Sequence, residues 1–262
     1  MELILDVHLI TDRGLARDRN EDRCGAFTPE DPRARIERGR LFVVADGMGG
    51  YADGDVAAEL TMEALPASYF QEEWTGAAEA LRRAFTAANA LIERKAAKEP
   101  QRHDMGATAV AAAVVEERAI FAHVGDCRAY RVHAGGIEQL TSDHSWVQER
   151  VDAGWLTPEE ARVHPYRNVL TRGLGAEADA DPTVGEVAFT AGDVLILCSD
   201  GLWNVVVEEE LIEALVRSTS ARDAARALVD LALERGGPDN ISVALIRAVG
   251  AAENGATEAP AR

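Results

Sequence analysis

The chain is 262 residues long and carries 27 Lys and Arg against 45 Asp and Glu, a formal net charge of −18. That balance argues against nucleic-acid partners, which need a basic face, and against docking on an anionic membrane surface. With 47% apolar and 27% charged residues, the composition is that of a globular protein long enough to bury a sizeable core.

Leu3, Leu5, Val7 and Leu9 alternate with polar positions, the pattern of a half-buried strand. The same segment lacks the basic start and unbroken apolar core of a signal peptide. Residues 41–45 form a short apolar run that also reads as a strand. Ala77, Leu81, Ala84, Ala88 and Leu91 make a helical stripe, stopped by Pro100. Residues 108–133 read as three β-rich runs, and Gly135-Gly136 as a hairpin turn. Short helices are expected over 145–154 and 157–163, the second opened by the capping box Thr157-Pro158-Glu159-Glu160. Strands over 184–189 and 194–198 follow, then helices over 208–217 and 221–235, and a closing strand over 241–247. Gly236-Gly237 ends the last helix. Residues 250–262, rich in Ala, Glu, Gly and Pro, are expected to form a disordered tail behind a single domain of residues 1–249. Strands and helices do not alternate strictly, which favours a mainly antiparallel α+β domain. The three cysteines, Cys24, Cys127 and Cys198, are far apart with no CxxC pair, which points to reduced thiols rather than disulfides or zinc. No apolar stretch is long enough to span a bilayer, and the location expected is cytoplasmic.

Four aspartates recur in one setting. Asp46, Asp126 and Asp200 end apolar runs and Asp239 precedes one, each beside Gly or Asn (Gly47, Gly125, Gly201, Asn240). Any one of them alone is an ordinary turn former. As a set they describe carboxylates gathered at one end of a sheet system, where mutual repulsion calls for cations. Oxygen-only ligands suit Mg2+ or Mn2+ rather than zinc, and a pair of such ions can activate water and hold a phosphoryl group. Upstream, TDRGLARDRNED contributes Arg17, the residue type that grips phosphate with forked hydrogen bonds, and Glu21 and Asp22, which can hold metal-bound waters. The ordinary alternatives are a surface arginine paired with an acid and a solvated charge run.

These segments, taken in order, resemble the protein phosphatase 2C family of metal-dependent Ser/Thr phosphatases in its compact bacterial form. They are TDRGLARDRNED, VVADGMGGYADGDVAA, MGATAV, HVGDCRAYR, LTSDHSWVQERV, HPYRNVLTRGLG, LILCSDGLWNVV and GGPDNISVALIR, spread from residue 11 to 247. The resemblance implies a central sandwich of two antiparallel sheets flanked by helices, with a two-metal site at one end. It implies that Asp46 bridges both ions with the Gly47 carbonyl on one, that Asp200 and Asp239 complete the second, and that Glu21 and Asp22 hold metal-bound waters. Asp126 would join Asp200 at a third, weaker ion, Arg17 would hold the phosphate, and residues 145–172 would form a flap. Asp143 is placed in or near the same site. The expected function is hydrolysis of phosphoserine and phosphothreonine in proteins without a covalent intermediate, opposing a Ser/Thr kinase, by a monomer.

Three positions depart from the family pattern. Met48 stands where animal members carry a histidine proposed as general acid; bacterial members commonly share the methionine. That leaves a water on the third ion or His144 to protonate the leaving group, with a structural role for His144 as the alternative. Cys127 replaces a serine and Ala107 a threonine, and neither change removes a metal ligand. Two other functions compete with this one. A pseudophosphatase acting as a binding module would lack a core carboxylate, and none is missing. A phosphoryl-transfer enzyme with an aspartate nucleophile would need a DxD after an apolar strand, whereas Asp179-Ala180-Asp181 follows none.

Overall fold

The computed structural model describes residues 2–48, 53–71, 73–99, 105–175 and 180–251. The expected helix stop at Pro100, Asp179 and the tail beyond residue 251 lie outside them. In chain order the elements are β1 (Leu3–Asp12), β2 (Arg23–Phe27), α1 (Pro32–Arg38), β3 (Arg40–Met48), α2 (Gly54–Tyr69) and α3 (Ala77–Lys98). Then come β4 (Gly106–Val115), β5 (Arg118–Val124), β6 (Arg128–His133), β7 (Gly136–Gln139), α4 (Trp146–Asp152) and α5 (Pro158–Val163). The series closes with β8 (Thr183–Ala188), β9 (Val194–Cys198), α6 (Asp200–Trp203), α7 (Glu208–Arg217), α8 (Ala221–Glu234) and β10 (Ile241–Ala251).

The strands make two five-stranded sheets, ordered β1-β10-β9-β6-β7 and β2-β3-β4-β5-β8, every pairing antiparallel. Strand alternation sorts their side chains into layers. On β3, Phe42 and Val44 face the other sheet, while Leu41, Val43 and Ala45 face helices α2 and α3. On β9, Leu195 and Leu197 point between the sheets, while Val194, Ile196 and Cys198 pack under α7 and α8. The result is four layers, helix pair, sheet, sheet, helix pair, with three apolar seams between them. Each buried Leu or Phe in those seams contributes about 1.5–3 kcal/mol.

Two expectations shift by a residue or two. The hairpin between β6 and β7 turns on Ala134 and Gly135, at φ 49° and 81°, and Gly136 already pairs with His133. Both turn positions need positive φ, which Gly135 meets at no steric cost. Gly250 and Ala251, expected in the tail, belong to β10, because β1 is long enough to pair with them at Ile4 and Leu3. The capping box opens α5 as expected: Thr157 accepts from the Glu160 amide and Glu160 reaches back to the Thr157 amide. Among the described residues, no helix is long and apolar enough to cross a membrane.

Candidate active site

At one end of the sandwich the face that carries Phe42 and Val44 carries Asp46 next, opposite Thr108 on β4. Beyond the last inward residue of β9, Leu197, the same alternation brings in Ser199, and on β10 it brings in Ser242 ahead of Ala244. Asp22, which precedes β2, is fully buried there, and its Oδ2 accepts from the Ser199 hydroxyl at 2.6 Å. The Ser199 Oγ in turn accepts from the Ser242 amide at 3.0 Å. Asp126 follows β5, Asp200 opens α6, and Asp239 stands two residues before β10. Asp22, Asp126, Asp200 and Asp239 all lie close enough to Asp46 to raise its proton affinity.

Burial is the first cause of those shifts and like charge the second. Asp46 is held well above the ordinary carboxylate range by burial, then by Asp22, Asp200, Asp126 and Asp239. Asp200 is raised in the same way, with Asp126 its strongest charged neighbour. Asp22 is pushed up to about 6 by burial, against the pull of its hydroxyl donors Ser199 and Ser242. Asp126 is pushed up to about 7 by burial and then by Asp143. Glu21 is raised by burial and by Asp55. A protein pays for such a cluster only where another charge is meant to enter it.

The donor set fits hard divalent cations. Every contributor is an oxygen, and two of those oxygens, Asp22 Oδ1 and Asp200 Oδ1, are buried without a hydrogen-bond partner. Among the described residues no three His, Cys, Asp or Glu side chains meet in ready ligand geometry. Instead the carboxylates lean on protein partners: Asp239 on Arg17 at 2.6 Å, Asp200 on the Asn204 amide at 3.2 Å, and Asp22 on Ser199. Gly47 and Gly54 touch backbone to backbone, since a Cβ on Gly47 would fall 2.1 Å from the Gly54 carbonyl oxygen and 2.8 Å from that of Glu21. A side chain at Gly47 would therefore push the Glu21 segment away from Asp46.

Arg17 lies on the loop after β1, half exposed at 52%, and its Nη2 is the partner of Asp239. The structure thus brings it to the carboxylates in an ion pair with an acid, which also raises its pKa. Asp143 sits nearby but is fully engaged by Arg128, whose Nε and Nη2 reach its two oxygens at 2.8 and 2.7 Å. That bidentate pair makes Asp143 a neighbour that raises Asp126 rather than a free carboxylate in the cluster. His144 makes the contacts of the structural role that stands as the alternative to acid catalysis. It is buried, its Nδ1 accepts from the Gly125 amide at 3.1 Å, and its Nε2 faces the Thr183 hydroxyl at 2.9 Å. Residues 145–172 carry α4 and α5 beside the site, pinned at the root by a bridge between Ser145 and Leu170 and stiffened by Trp146 stacked on His164 at 5.1 Å.

Asn240 is among the site-building residues that the sequence does not single out. It accepts from the Glu21 amide and donates to the Arg13 and Arg19 carbonyls, each at 2.8 Å, and so fixes the loop that carries Arg17, Glu21 and Asp22. Its only signal was its place after Asp239, which reads equally well as a turn.

The protein phosphatase 2C model matches residues 18–234. The chain belongs to the protein phosphatase 2C family. The serine/threonine phosphatase stp of Listeria monocytogenes is 37% identical over 240 residues, covering 90% of this chain and 93% of that protein. The solved Mycobacterium tuberculosis serine/threonine phosphatase PstP superposes with a TM-score of 0.82 at 38% identity, over 94% of this chain and 99% of that one. The catalytic domain of PstP in complex with two manganese ions superposes with a TM-score of 0.81 at 35% identity, over 94% and 98%. Both likenesses run through the sandwich and its acidic end, so the family architecture expected from the eight motifs is the one observed.

Proposed function

We propose that this family member is a metal-dependent phosphatase that hydrolyses phosphoserine and phosphothreonine in proteins modified by a Ser/Thr kinase. The observation that carries the reading is the half-buried carboxylate cluster with two buried oxygens left without partners, Asp22 Oδ1 and Asp200 Oδ1. Asp46, Asp200, Asp239 and the Gly47 carbonyl are the residues to hold two divalent cations, Mn2+ or Mg2+, with Glu21 and Asp22 behind them and Asp126 with Asp200 at a third. Such ions, when bound, supply Lewis-acid polarisation of the phosphate and a nucleophile drawn from water at neutral pH.

The chain's own residues do the rest. Ser199 and Asn204 each engage one oxygen of Asp22 and Asp200, which leaves the second oxygen of each carboxylate to meet a cation. Asn240 holds the Arg17 loop against Asp239. A phosphate dianion entering the rim would replace Asp239 as the partner of Arg17, in the forked geometry that a guanidinium offers phosphate oxygens. Asp239 would then be free to turn inward. No nucleophilic side chain is called on, and the mechanism needs no covalent intermediate.

The test is phosphate release from a phosphothreonine peptide by the purified chain. Turnover should require added Mn2+ or Mg2+ and stop with EDTA. Absence of turnover at every concentration of either ion would defeat the reading.

A further inference from the structure

The family fold explains where Asp126 is, but not what holds it there. β5 ends at Val124, so the polar backbone of Gly125 and Asp126 has no ladder to join and must find partners elsewhere. Two side chains and one amide supply them. His144 Nδ1 accepts from the Gly125 N–H at 3.1 Å, and the His144 N–H donates back to the Gly125 carbonyl at 2.9 Å. The Trp203 indole N–H donates to the Asp126 carbonyl at 2.9 Å. Gly125 itself sits at φ +95°, and a Cβ there would fall 2.3 Å from Thr108 Cγ2, so the kink that sends Asp126 inward is open to glycine alone.

Both braces are themselves fixed. With Nδ1 accepting, His144 is the neutral tautomer whose Nε2–H meets Thr183, and its ring stacks on that of His123 at 4.4 Å. Trp203 lies under the Arg128 guanidinium, 3.5 Å from the ring centroid, and Arg128 is locked to Asp143. Trp203 ends the single turn that Asp200 begins, so one short helix carries one acid and grips the backbone of the other. His144 also accepts from Thr171 through its carbonyl, which ties the Asp126 loop to the root of the 145–172 flap.

We propose that His144 and Trp203 are positioning residues for Asp126, holding it against the repulsion of Asp200 and Asp46 and fixing its spacing from Asp200. The assignment rests on the metal-dependent reading above for its purpose, but not for its test. The two groups that hold the Asp126 loop are uncharged, and the nearby Arg128 cation is engaged by Asp143.

The test uses Trp203→Phe, which keeps an aromatic face for Arg128 and removes only the N–H, and the pair His144→Gln and His144→Asn. Asparagine places an acceptor where Nδ1 stands; glutamine places its polar end where Nε2 stands. Amide exchange by NMR on the EDTA-treated protein should show Gly125 to Cys127 exchanging at least tenfold faster in Trp203→Phe and His144→Gln, with His144→Asn close to the wild type. In a calorimetric Mn2+ titration, the weakest binding step should loosen several-fold in the first two variants and recover in the third. Weakest-step affinity and loop exchange both within twofold of the wild type in Trp203→Phe and His144→Gln would overturn the proposal. So would equal losses in Asn and Gln, which would mark His144 as mere packing. Wild-type protein inert toward phosphopeptides would sink the phosphatase reading alone, since exchange and calorimetry decide the positioning without turnover.

Discussion

The middle of the sandwich and its acidic end are built on the same strand faces, yet they obey opposite energetics. On β3, Phe42 and Val44 point between the sheets and are fully buried; two positions further on the same face is Asp46. On β9, Leu195 and Leu197 are followed by Ser199 and then Asp200. In the middle, burial removes apolar surface from water and stabilises the fold. At the end, the same geometry buries carboxylates beside one another and costs stability. An alternation of apolar residues that runs on into charge marks the place where stability has been given up for chemistry.

The largest expected effect sharpens that contrast within one strand. Asp46→Asn should lower kcat on a phosphopeptide by roughly a thousandfold, about 4 kcal/mol, while raising the melting temperature of the EDTA-treated protein. Phe42→Ala, on the same face, should do the reverse, costing about 3–5 kcal/mol of stability while leaving the requirement for Mn2+ unchanged. Turnover by Asp46→Asn at the wild-type rate would erase the distinction between the two regions.

The next prediction concerns pH. In the folded chain Asp22 and Asp126 keep their protons to about 6 and about 7, whereas an unfolded Asp titrates near about 4. Across that window the folded state binds more protons than the unfolded one, so stability is highest below it and falls as pH rises through the folded values. EDTA-treated protein should lose about 5–10 °C of melting temperature between pH 5 and pH 7.5, and saturating Mn2+ should flatten the slope. A melting temperature that rose over this range would mean that the cluster is not held at close quarters.

A smaller effect is expected at the rim. Arg17→Ala should raise KM for phosphopeptide by roughly tenfold and change kcat by less than about threefold, because it removes grip on bound phosphate. An unchanged KM would leave Arg17 as no more than the ion-pair partner of Asp239.

Legibility in the sequence followed contrast. Helix α7 over Glu208–Arg217 was read to the residue, because Leu211 and Leu215 stand out among acids. Helix α2 was not read at all. Apart from Leu65 and Tyr69 its buried face is Gly54, Ala57, Ala58, Thr61, Ala64 and Ser68, small and partly polar residues that the periodicity of large apolar side chains does not register, and it carries Pro66. Strand β2, five residues behind a charge run, offered too little pattern. At the site, the acids were legible because charge at a strand end is conspicuous. Their supports were not, since Ser199, Asn240 and Trp203 act through bonds to residues 177, 219 and 77 positions away. The geometry that fixes a ligand is a tertiary fact even when the ligand is a sequence motif.

Asn240 has a consequence in time. It binds Arg13, Arg19 and Glu21 across more than 200 residues, in the same stretch where β10 pairs with β1 along its whole length. Closing so long a loop is slow and is rewarded only when both ends are present. A chain leaving the ribosome N-terminus first therefore lacks Asp239, and the bonds that fix the loop carrying Arg17, until its final strand emerges. Truncation anywhere before residue 240 should yield a product without a phosphate site, however much of the sandwich it retains. Synthesis order thus acts as a safeguard: the nascent domain stays silent until β10 has been made.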